Sequence, residues 1–243
     1  MAISTNSIIH YTDKLDSLLA IISEGFKVRF CSELMQSPGW RVNVMVPMVS
    51  FCDIPFSSFQ DHIEAYGSYG IGLSKQWAFR MGVNPVLYLS KGSSLTRQYL
   101  DYMAETIKKK TKADIKALDF MKQLIIYAKN YQADLERKDT VIENYRFYNE
   151  REWRYILQSH SKKKVSPVFG GNMAEKGELN ESIADARIGF DVDEITYIIV
   201  KTIDEIEIAI NAIRSAYNDR CTSKQLDILL SKIISVEQIR SDF

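Results

Sequence analysis

The sequence has 243 residues, of which 46% are hydrophobic and 26% are charged, and its 31 basic and 31 acidic side chains leave no formal net charge. A chain of this length can bury a full hydrophobic core in one or two domains, and its composition excludes a globally disordered protein. The balanced charge also gives no support to a protein that binds nucleic acid through an overall basic surface.

The first stretch, residues 1–89, is rich in glycine, proline and aromatic residues and has short apolar runs. Short apolar runs between turn residues predict strands, and apolar residues spaced three or four apart predict helices. The predicted elements are a strand at 7–11, a helix at 13–23 that ends at Gly25, a strand at 45–51, a short helix at 56–66, a strand at 69–74, a helical turn at 75–81 and a strand at 85–89.

The second stretch, residues 95–144, contains neither glycine nor proline, and its apolar residues follow helical spacing. It predicts one long helix or two shorter ones. The third stretch begins at Tyr145. Its predicted elements are a strand at 153–157, loops within 161–189, a strand at 195–201, helices at 204–218 and 223–234, and a final strand or tail at 235–239. We therefore expect a single α+β domain, residues 1–243, with a helical insertion at about 95–144.

His10 stands at the end of the first predicted strand and is followed by Tyr11 and Thr12. A histidine in this position can present its imidazole at the mouth of a cleft, and its neighbours add an aromatic face and a hydroxyl group. The simpler interpretation is a half-buried histidine that hydrogen-bonds to the backbone. For a lone histidine the simpler interpretation is favoured, although the helix that begins directly afterwards supports a cleft.

Residues 148–155 carry an unusual alternation of charges. Side chains alternate along a strand, so Glu150, Glu152 and Arg154 are expected to share one face. Such a face either meets water or lines a polar site, in which a carboxylate can orient a ribose hydroxyl or stabilise a developing cation. The alternative is an edge strand with cross-strand ion pairs, and the sequence leaves both open.

The segment 66–75 has three glycines among aromatic residues, in a spacing that matches neither a P-loop nor a dinucleotide fingerprint. Glycines allow close backbone approach by a ligand or by another strand. A tight turn that leads into a core strand explains the segment at least as well as a ligand site.

Other features indicate the compartment and the absence of a metal. The cysteines are Cys31, Cys52 and Cys221. Their odd number argues against a disulfide framework and fits a reducing compartment, and their spacing is not that of metal ligands. The amino terminus does not look like a signal peptide, and no apolar run approaches the about 20 residues that cross a bilayer. We expect a cytoplasmic protein with no membrane contact and no bound metal.

In this order the segments resemble the AbiGi family of abortive-infection phage-resistance proteins. The segments that carry the resemblance are 10–12 with the helix that follows to Gly25-Phe26, 46–55, 66–75, 84–88, 148–155 and 195–201. The family is described as the antitoxin half of a phage-defence pair. The resemblance therefore implies a bacterial antiviral-defence protein that has a partner protein in a toxin–antitoxin system.

The sequence is also similar, more weakly, to ADP-ribosyltransferases, because His10, the strand at 69–73 and Glu152 follow one another in the order that those enzymes use. This similarity implies a mixed, mainly antiparallel sheet core of the ADP-ribosyltransferase type and NAD as a substrate. The residues that it implies to be catalytic are Glu152 and His10. The residues that it implies to contact NAD are His10, Tyr11, Thr12, Tyr69 and Ser74.

In that scheme His10 holds the adenosine-side ribose, and Tyr69 or Tyr11 stacks on nicotinamide. Glu152 binds the nicotinamide ribose, where an anion stabilises the positive charge that develops as nicotinamide leaves. The sequence departs from the enzymes because Tyr11 stands where many of them have glycine. Glu150 also competes with Glu152, and the helical insertion has no fixed counterpart.

Two functions follow from these resemblances. The first is an ADP-ribosyltransferase-like toxin that uses NAD to modify a macromolecule, with nucleic acid among the possible targets. The alternative is a non-catalytic antitoxin or sensor that binds a partner protein. A nucleic-acid-processing enzyme ranks below both, because nothing in the sequence resembles a metal site.

Overall fold

A computed structural model describes residues 4–56, 66–108, 112–136, 141–171 and 174–242 of the chain. Its strands are Ser7–Thr12, Phe26–Lys27, Arg29–Ser37, Trp40–Cys52, Tyr69–Ser74, Asn84–Pro85, Leu87–Leu89, Ala128–Asn130, Ala133–Glu136, Val141–Tyr145, Glu152–Ile156, Ser159–His160, Lys163–Lys164, Val168–Phe169, Arg187–Ile188, Ile195–Val200 and Ile233–Ser235. Its α-helices are Leu15–Glu24, Lys75–Arg80, Ser94–Lys108, Lys112–Ile126, Lys176–Glu181, Glu205–Tyr217, Ser223–Leu230 and Val236–Asp242. The helix predicted at 56–66 falls, apart from its two ends, outside the described residues.

The chain forms two compact units, each described by itself. The first unit contains residues 1–28, 49–84 and 185–243, and the second contains residues 29–48 and 85–184. The strand Trp40–Cys52 therefore gives residues 40–48 to the second unit and its last four residues to the first. The single domain predicted for residues 1–243 stays a prediction.

The first unit is built on a sheet in which Tyr69–Ser74 lies between two antiparallel neighbours, Ser7–Thr12 and Ile195–Val200. Ser7–Thr12 also pairs with the end of Trp40–Cys52, and Ile195–Val200 pairs in parallel with Ile233–Ser235. The run Ile195–Val200 is rich in β-branched residues and largely buried, as expected for a strand with neighbours on both sides. The strands predicted at 69–74 and 195–201 are confirmed.

Two glycines of Tyr69–Ser74 are required by the strands beside them. A Cβ atom at Gly72 would lie 2.8 Å from Oγ1 of Thr196, and one at Gly70 would lie 3.2 Å from the ring of Tyr11. A real Cβ does not tolerate the first of these contacts and has little room for the second. The close approach predicted from these glycines is therefore made by adjacent strands.

The helix Leu15–Glu24 follows the predicted course closely. It begins after Lys14 instead of after Thr12 or Asp13. Its end at Gly25 is confirmed, because Gly25 has φ 84° and its N–H donates to the carbonyl of Ile21 at 2.9 Å. A positive φ at this position favours glycine, which has no side chain to clash.

The second unit contains an antiparallel pairing of Arg29–Ser37 with residues 40–48, which runs from Arg29 opposite Met48 to Ser37 opposite Trp40. The strand Arg29–Ser37 was not predicted, because its sequence mixes apolar, charged and hydroxyl side chains without a clean alternation.

Glu152–Ile156 is not an edge strand, since Leu157 N–H donates to the carbonyl of Pro47 on one side and Val86 N–H donates to the carbonyl of Glu152 on the other, both at 2.9 Å.

The helices Ser94–Lys108 and Lys112–Ile126 confirm the two-helix alternative for the glycine-free stretch. They pack on the core of the second unit with residues such as Leu100 and Ile125. The prediction of helix beyond Ile126 is wrong, because Ala128–Asn130 pairs in parallel with Leu87–Leu89 and further strands follow. The buried residues of Ala128–Asn130 alternate, which is the period of a strand.

The carboxyl-terminal prediction also needs correction. The helix predicted at 223–234 ends at Leu230, and the strand Ile233–Ser235 precedes a helix, Val236–Asp242, where a strand or tail was predicted. Val236 and Ile239 of that helix pack with Ile9 and Ile199. The mixed α+β class with a mainly antiparallel sheet is confirmed, and its ADP-ribosyltransferase type stays a prediction.

Candidate functional site

His10 lies on Ser7–Thr12 in the first unit, and aromatic side chains surround its ring. Its Nδ1 is 2.8 Å from the carbonyl oxygen of Ser50, and the rings of Phe26 and Phe51 meet it edge-on with centroids 5.3 and 5.9 Å away. Because a carbonyl oxygen accepts only, Nδ1 carries the proton and donates it. Burial lowers the pKa of His10 more than the bond to Ser50 raises it, so the imidazole is neutral near pH 7.

Three other residues implied to contact NAD in the first unit, Thr12, Tyr69 and Ser74, have structural partners. Thr12 stands opposite Tyr69 in the paired strands. The hydroxyl of Tyr69 donates to Glu205 at 2.8 Å, and burial together with that carboxylate raises the pKa of Tyr69 to about 12. Ser74 caps the helix Lys75–Arg80, since its Oγ accepts from the N–H of Trp77 at 3.2 Å.

The strand pairing therefore places five of the predicted site residues on two adjacent strands. Those in the first unit are His10, Tyr11, Thr12, Tyr69 and Ser74. His10 takes the simpler of its two interpretations, a half-buried histidine that bonds to the backbone. Glu152 belongs to the second unit. The roles of all these residues toward NAD stay predictions.

Glu152 is part of a group of charged side chains that we call the buried ion cluster, and its members are Glu33, Lys129, Glu150, Glu152 and Arg154. Arg154 binds the Glu152 carboxylate with two nitrogens, Nε to Oε1 at 2.7 Å and an Nη to Oε2 at 3.1 Å. Lys129 Nζ lies 2.9 Å from one oxygen of Glu150 and 2.9 Å from one of Glu152. Glu150, Glu152 and Arg154 are 2%, 4% and 0% exposed.

Arg154 uses all of its guanidinium nitrogens inside the second unit. Besides its two bonds to Glu152, it donates to the carboxylate of Glu33 and, at 2.7 Å, to the carbonyl oxygen of Ile126. Ile126 ends the helix Lys112–Ile126, and a cation at the last carbonyls of a helix is favourable. The cluster therefore fixes the end of that helix to Glu152–Ile156.

Local geometry explains how the acidic residues reach the cluster. Along Glu152–Ile156 the buried side chains are Glu152, Arg154 and Ile156, and the intervening ones are partly exposed. The predicted sharing of one face is confirmed for Glu152 and Arg154, but that face is buried and does not meet water. Glu150 ends a short 3₁₀ turn, and Arg151 in the left-handed region, at φ 47°, redirects the chain into the strand.

The protonation of Glu152 follows from its partners. Burial raises the pKa of Glu152, but Arg154 and Lys129 lower it by more, so that it falls to about 2. The same carboxylates raise the pKa of Lys129 above its usual range, against the effect of burial. Within the cluster, Glu152, Lys129 and Arg154 therefore carry their charges near neutral pH.

Sequence reasoning missed Lys129, Glu33 and Tyr88, whose hydroxyl accepts from the N–H of Glu152 at 2.8 Å. One feature of the sequence indicated a cation such as Lys129. Two carboxylates and one guanidinium on one face leave one negative charge in excess, and a buried excess charge requires a counter-ion. Lys129 has a buried neighbour on each side, Ala128 and Asn130. No local pattern identified Glu33 or Tyr88.

A metal site or a membrane span would require particular residues in the part of the chain that the structure describes. Among those residues, no group of three or more His, Cys, Asp or Glu side chains could hold a metal ion. No described helix combines the length and the hydropathy that a bilayer crossing requires. None of the cysteines Cys31, Cys52 and Cys221 forms a disulfide.

Comparison with known proteins confirms the AbiGi resemblance. A family profile described as "Putative abortive phage resistance protein AbiGi, antitoxin" matches residues 26–201, which include the whole buried ion cluster. The abortive phage resistance protein AbiGi of Lactococcus lactis subsp. cremoris is 28% identical over 221 residues, covering 82% of this chain and 89% of that relative. No solved structure matches the chain significantly. Because the profile covers well over half of the sequence, the chain belongs to the AbiGi family of abortive phage resistance proteins.

Proposed function

We propose that this protein is the antitoxin of a phage-defence pair and that it acts by binding a toxin protein, without catalysing a reaction. The observation that carries the proposal is the state of Glu152, the best candidate for a catalytic carboxylate. Glu152 is buried and bonded to cations of its own chain. The description of the family as an antitoxin supports the same function.

The bonding of Glu152 leaves little for a substrate. A carboxylate that stabilises a developing cation must be directed at the place where the positive charge forms. Oε1 of Glu152 accepts from Arg154, and Oε2 accepts from both Lys129 and Arg154. A reacting cation would have to displace one of these partners from a buried position, which is costly.

The buried ion cluster has a clear structural use instead. It ties together four separate parts of the second unit, which are the strand that holds Glu33, the strand that holds Lys129, the end of the helix at Ile126, and Glu152–Ile156. A framework fixed in this way presents its outer surface in one shape, and a preformed surface loses less entropy when a partner binds.

Co-expression with the product of the adjacent gene tests the proposal. That product alone should arrest growth, and the arrest should be relieved by wild-type protein, which should co-purify with it as a stable complex. His10→Ala removes the residue implied to hold NAD, and we expect it to protect as well as the wild type. Relief of arrest without a complex would overturn the proposal, as would loss of protection in His10→Ala with fold and complex intact.

A second candidate is an ADP-ribosyltransferase-like toxin that uses NAD. The observation that favours it is the pairing of Ser7–Thr12 with Tyr69–Ser74, which places Thr12 opposite Tyr69, and Tyr11 and His10 opposite the two residues that follow Tyr69. Purified protein and labelled NAD test it. Transfer of label to protein or nucleic acid that Glu152→Gln abolishes, while circular dichroism shows the variant to be folded at the assay temperature, would establish this second function. Wild-type protein that neither binds nor consumes NAD would exclude it.

A further inference from the structure

The helices Ser94–Lys108 and Lys112–Ile126 each carry two apolar stripes. One stripe packs into the core of the second unit and includes Leu100, Met103 and Ile125. A helix at a protein surface ordinarily has one such stripe, which faces the core, and presents polar residues on its other side. The second stripe of each of these helices therefore needs a different explanation.

The second stripes lie side by side and form a groove, which we call the helix-pair groove, with a volume of about 660 Å³. Three of the large side chains that line it are well exposed, with Phe120 at 64%, Leu95 at 62% and Tyr102 at 55%. Leu124 also lines it and is 38% exposed. Clustered exposure of large apolar side chains marks a surface that binds something, whereas single exposed residues are common.

The charge of the helix-pair groove has one sign. Among the described residues that line it, the charged ones are Asp101 and Glu105, both exposed and one turn apart on Ser94–Lys108. An apolar floor with an acidic rim is complementary to an apolar ligand surface that is bordered by positive charge.

We propose that the helix-pair groove binds an amphipathic helix of the cognate toxin, with lysine or arginine residues beside its apolar face; this proposal rests on the antitoxin function proposed above. The groove runs along Ser94–Lys108 from Leu95 to Glu105, which is about 15 Å, or nearly three helical turns. A helix laid in such a groove buries apolar residues from successive turns, at spacings of three or four.

The groove is held in shape by bonds on its inner side. The hydroxyl of Tyr99 on the first helix donates to the carbonyl of Met121 on the second, and Arg154 of the buried ion cluster holds the carbonyl of Ile126. The two helices therefore keep their spacing without a ligand, which lowers the entropic cost of binding one.

Variants of the toxin complex provide the first test. Phe120→Glu places a charge on the floor of the groove and should weaken the complex by about 10- to 100-fold in a titration, because it removes the burial of a large apolar side chain. Phe79→Glu is the matched control, since Phe79 is 65% exposed on the helix Lys75–Arg80 of the first unit. It should leave the affinity unchanged. Equal affinity of Phe120→Glu and wild type would overturn the proposal.

Synthetic peptides test the groove even if the proposed toxin complex does not exist. The probe is a leucine-faced helical peptide of about 18 residues with flanking lysines, compared with the same peptide carrying glutamates. Fluorescence anisotropy should show the lysine peptide binding wild type about tenfold more tightly than the glutamate peptide. The double variant Asp101→Lys/Glu105→Lys should invert this preference.

Three results would overturn the groove proposal: no binding of either peptide, equal binding of both, or a preference that the double variant leaves unchanged. Sedimentation of the wild type and of Phe120→Glu tests a second copy of this chain as the occupant. If the wild type is a dimer and Phe120→Glu is a monomer, the groove binds a second copy of this chain and not a toxin helix. A functional toxin complex combined with a failed groove test would leave the antitoxin function in place and reject only this surface.

Discussion

In the first unit, the half-buried His10 packs among aromatic rings and is neutral near pH 7, whereas in the second unit Glu152 and Arg154 are buried and charged. The ring of His10 bonds to the carbonyl of Ser50. Burial disfavours the charged imidazolium and therefore lowers the pKa of His10. In the second unit the charges are retained because each carboxylate meets a cation at hydrogen-bond distance.

The two arrangements differ in how they respond to change. Removing a neutral imidazole breaks its hydrogen bond to the Ser50 carbonyl but leaves no charge without a counter-ion. Removing one charge from a buried network leaves its partners uncompensated in a medium of low polarity, which is strongly destabilising. The second unit is therefore expected to be the more sensitive of the two to single substitutions at buried polar positions.

The largest effect is expected for Arg154→Met, which keeps an unbranched apolar side chain and removes the charged guanidinium group. Glu152 and Glu33 then lose their shared partner, and Ile126 loses its donor. We expect a loss of about 3–5 kcal/mol in the free energy of unfolding, measured by urea denaturation with circular dichroism.

Arg187→Met is the control for that substitution. Arg187 is partly exposed and lies 3.4 Å from Glu24 in the first unit. An exposed ion pair contributes about 0–1 kcal/mol, so this variant should differ little from the wild type. Similar losses in the two variants would show that burial does not distinguish the regions.

The second prediction concerns acid. The pKa of Glu152 falls from 4.5 to about 2 on folding, so the unfolded chain binds the proton first as the pH drops. Its contribution to stability is complete above pH 4.5 and is lost as the pH falls from 4.5 toward 2. Unfolding of wild type and Glu152→Gln across that range should show a steeper decline in the wild type. If the stability of the two proteins declines in parallel with pH, the ion pairs of Glu152 do not lower its pKa in the folded protein.

The third prediction applies the same argument to His10. Its folded pKa lies below 6.5, so the unfolded chain again binds the proton first, and stability falls as the pH drops below 6.5. His10→Phe should remove this decline and lose about 1 kcal/mol at neutral pH, the value of one hydrogen bond.

Trp77 is the natural reporter for the His10 experiment. It is buried and its ring lies 5.5 Å from that of Phe51, which contacts His10. Replacing Trp40 and Trp153 by phenylalanine leaves Trp77 fluorescence as the signal. An unaltered pH profile in His10→Phe would assign the decline to other groups.

The elements that the sequence could predict are those whose conformation follows from their own local pattern. Strands and helices with their own local pattern were predicted closely, as at Tyr69–Ser74 and Ile195–Val200. The strands Arg29–Ser37 and Ala128–Asn130 were missed, because their conformation is decided by pairing with partners elsewhere in the chain. Pairing of that kind overrides weak local preference.

The candidate site follows the same rule. The sequence predicted that Glu152 and Arg154 share one face of the strand, since this depends only on residues two apart. Their ion-pair partners are distant in sequence, because Glu33 is 121 residues from Arg154 and Lys129 is 23 residues from Glu152. The sequence thus indicated a polar face but not whether a substrate or the chain itself would neutralise it.

The smallest effect is expected for Tyr69→Phe in the first unit. The Tyr69 hydroxyl donates to Oε1 of Glu205 at 2.8 Å, while Oε2 of Glu205 accepts from the backbone N–H groups of Lys201 and Thr202 at 2.9 and 3.1 Å. Glu205 therefore keeps partners when the hydroxyl is removed, and the loss should be at most about 1 kcal/mol by thermal unfolding. The variant also keeps an aromatic ring, so any stacking on nicotinamide would survive. A loss as large as that of Arg154→Met would place a second critical polar network in the first unit and remove the contrast between the two units.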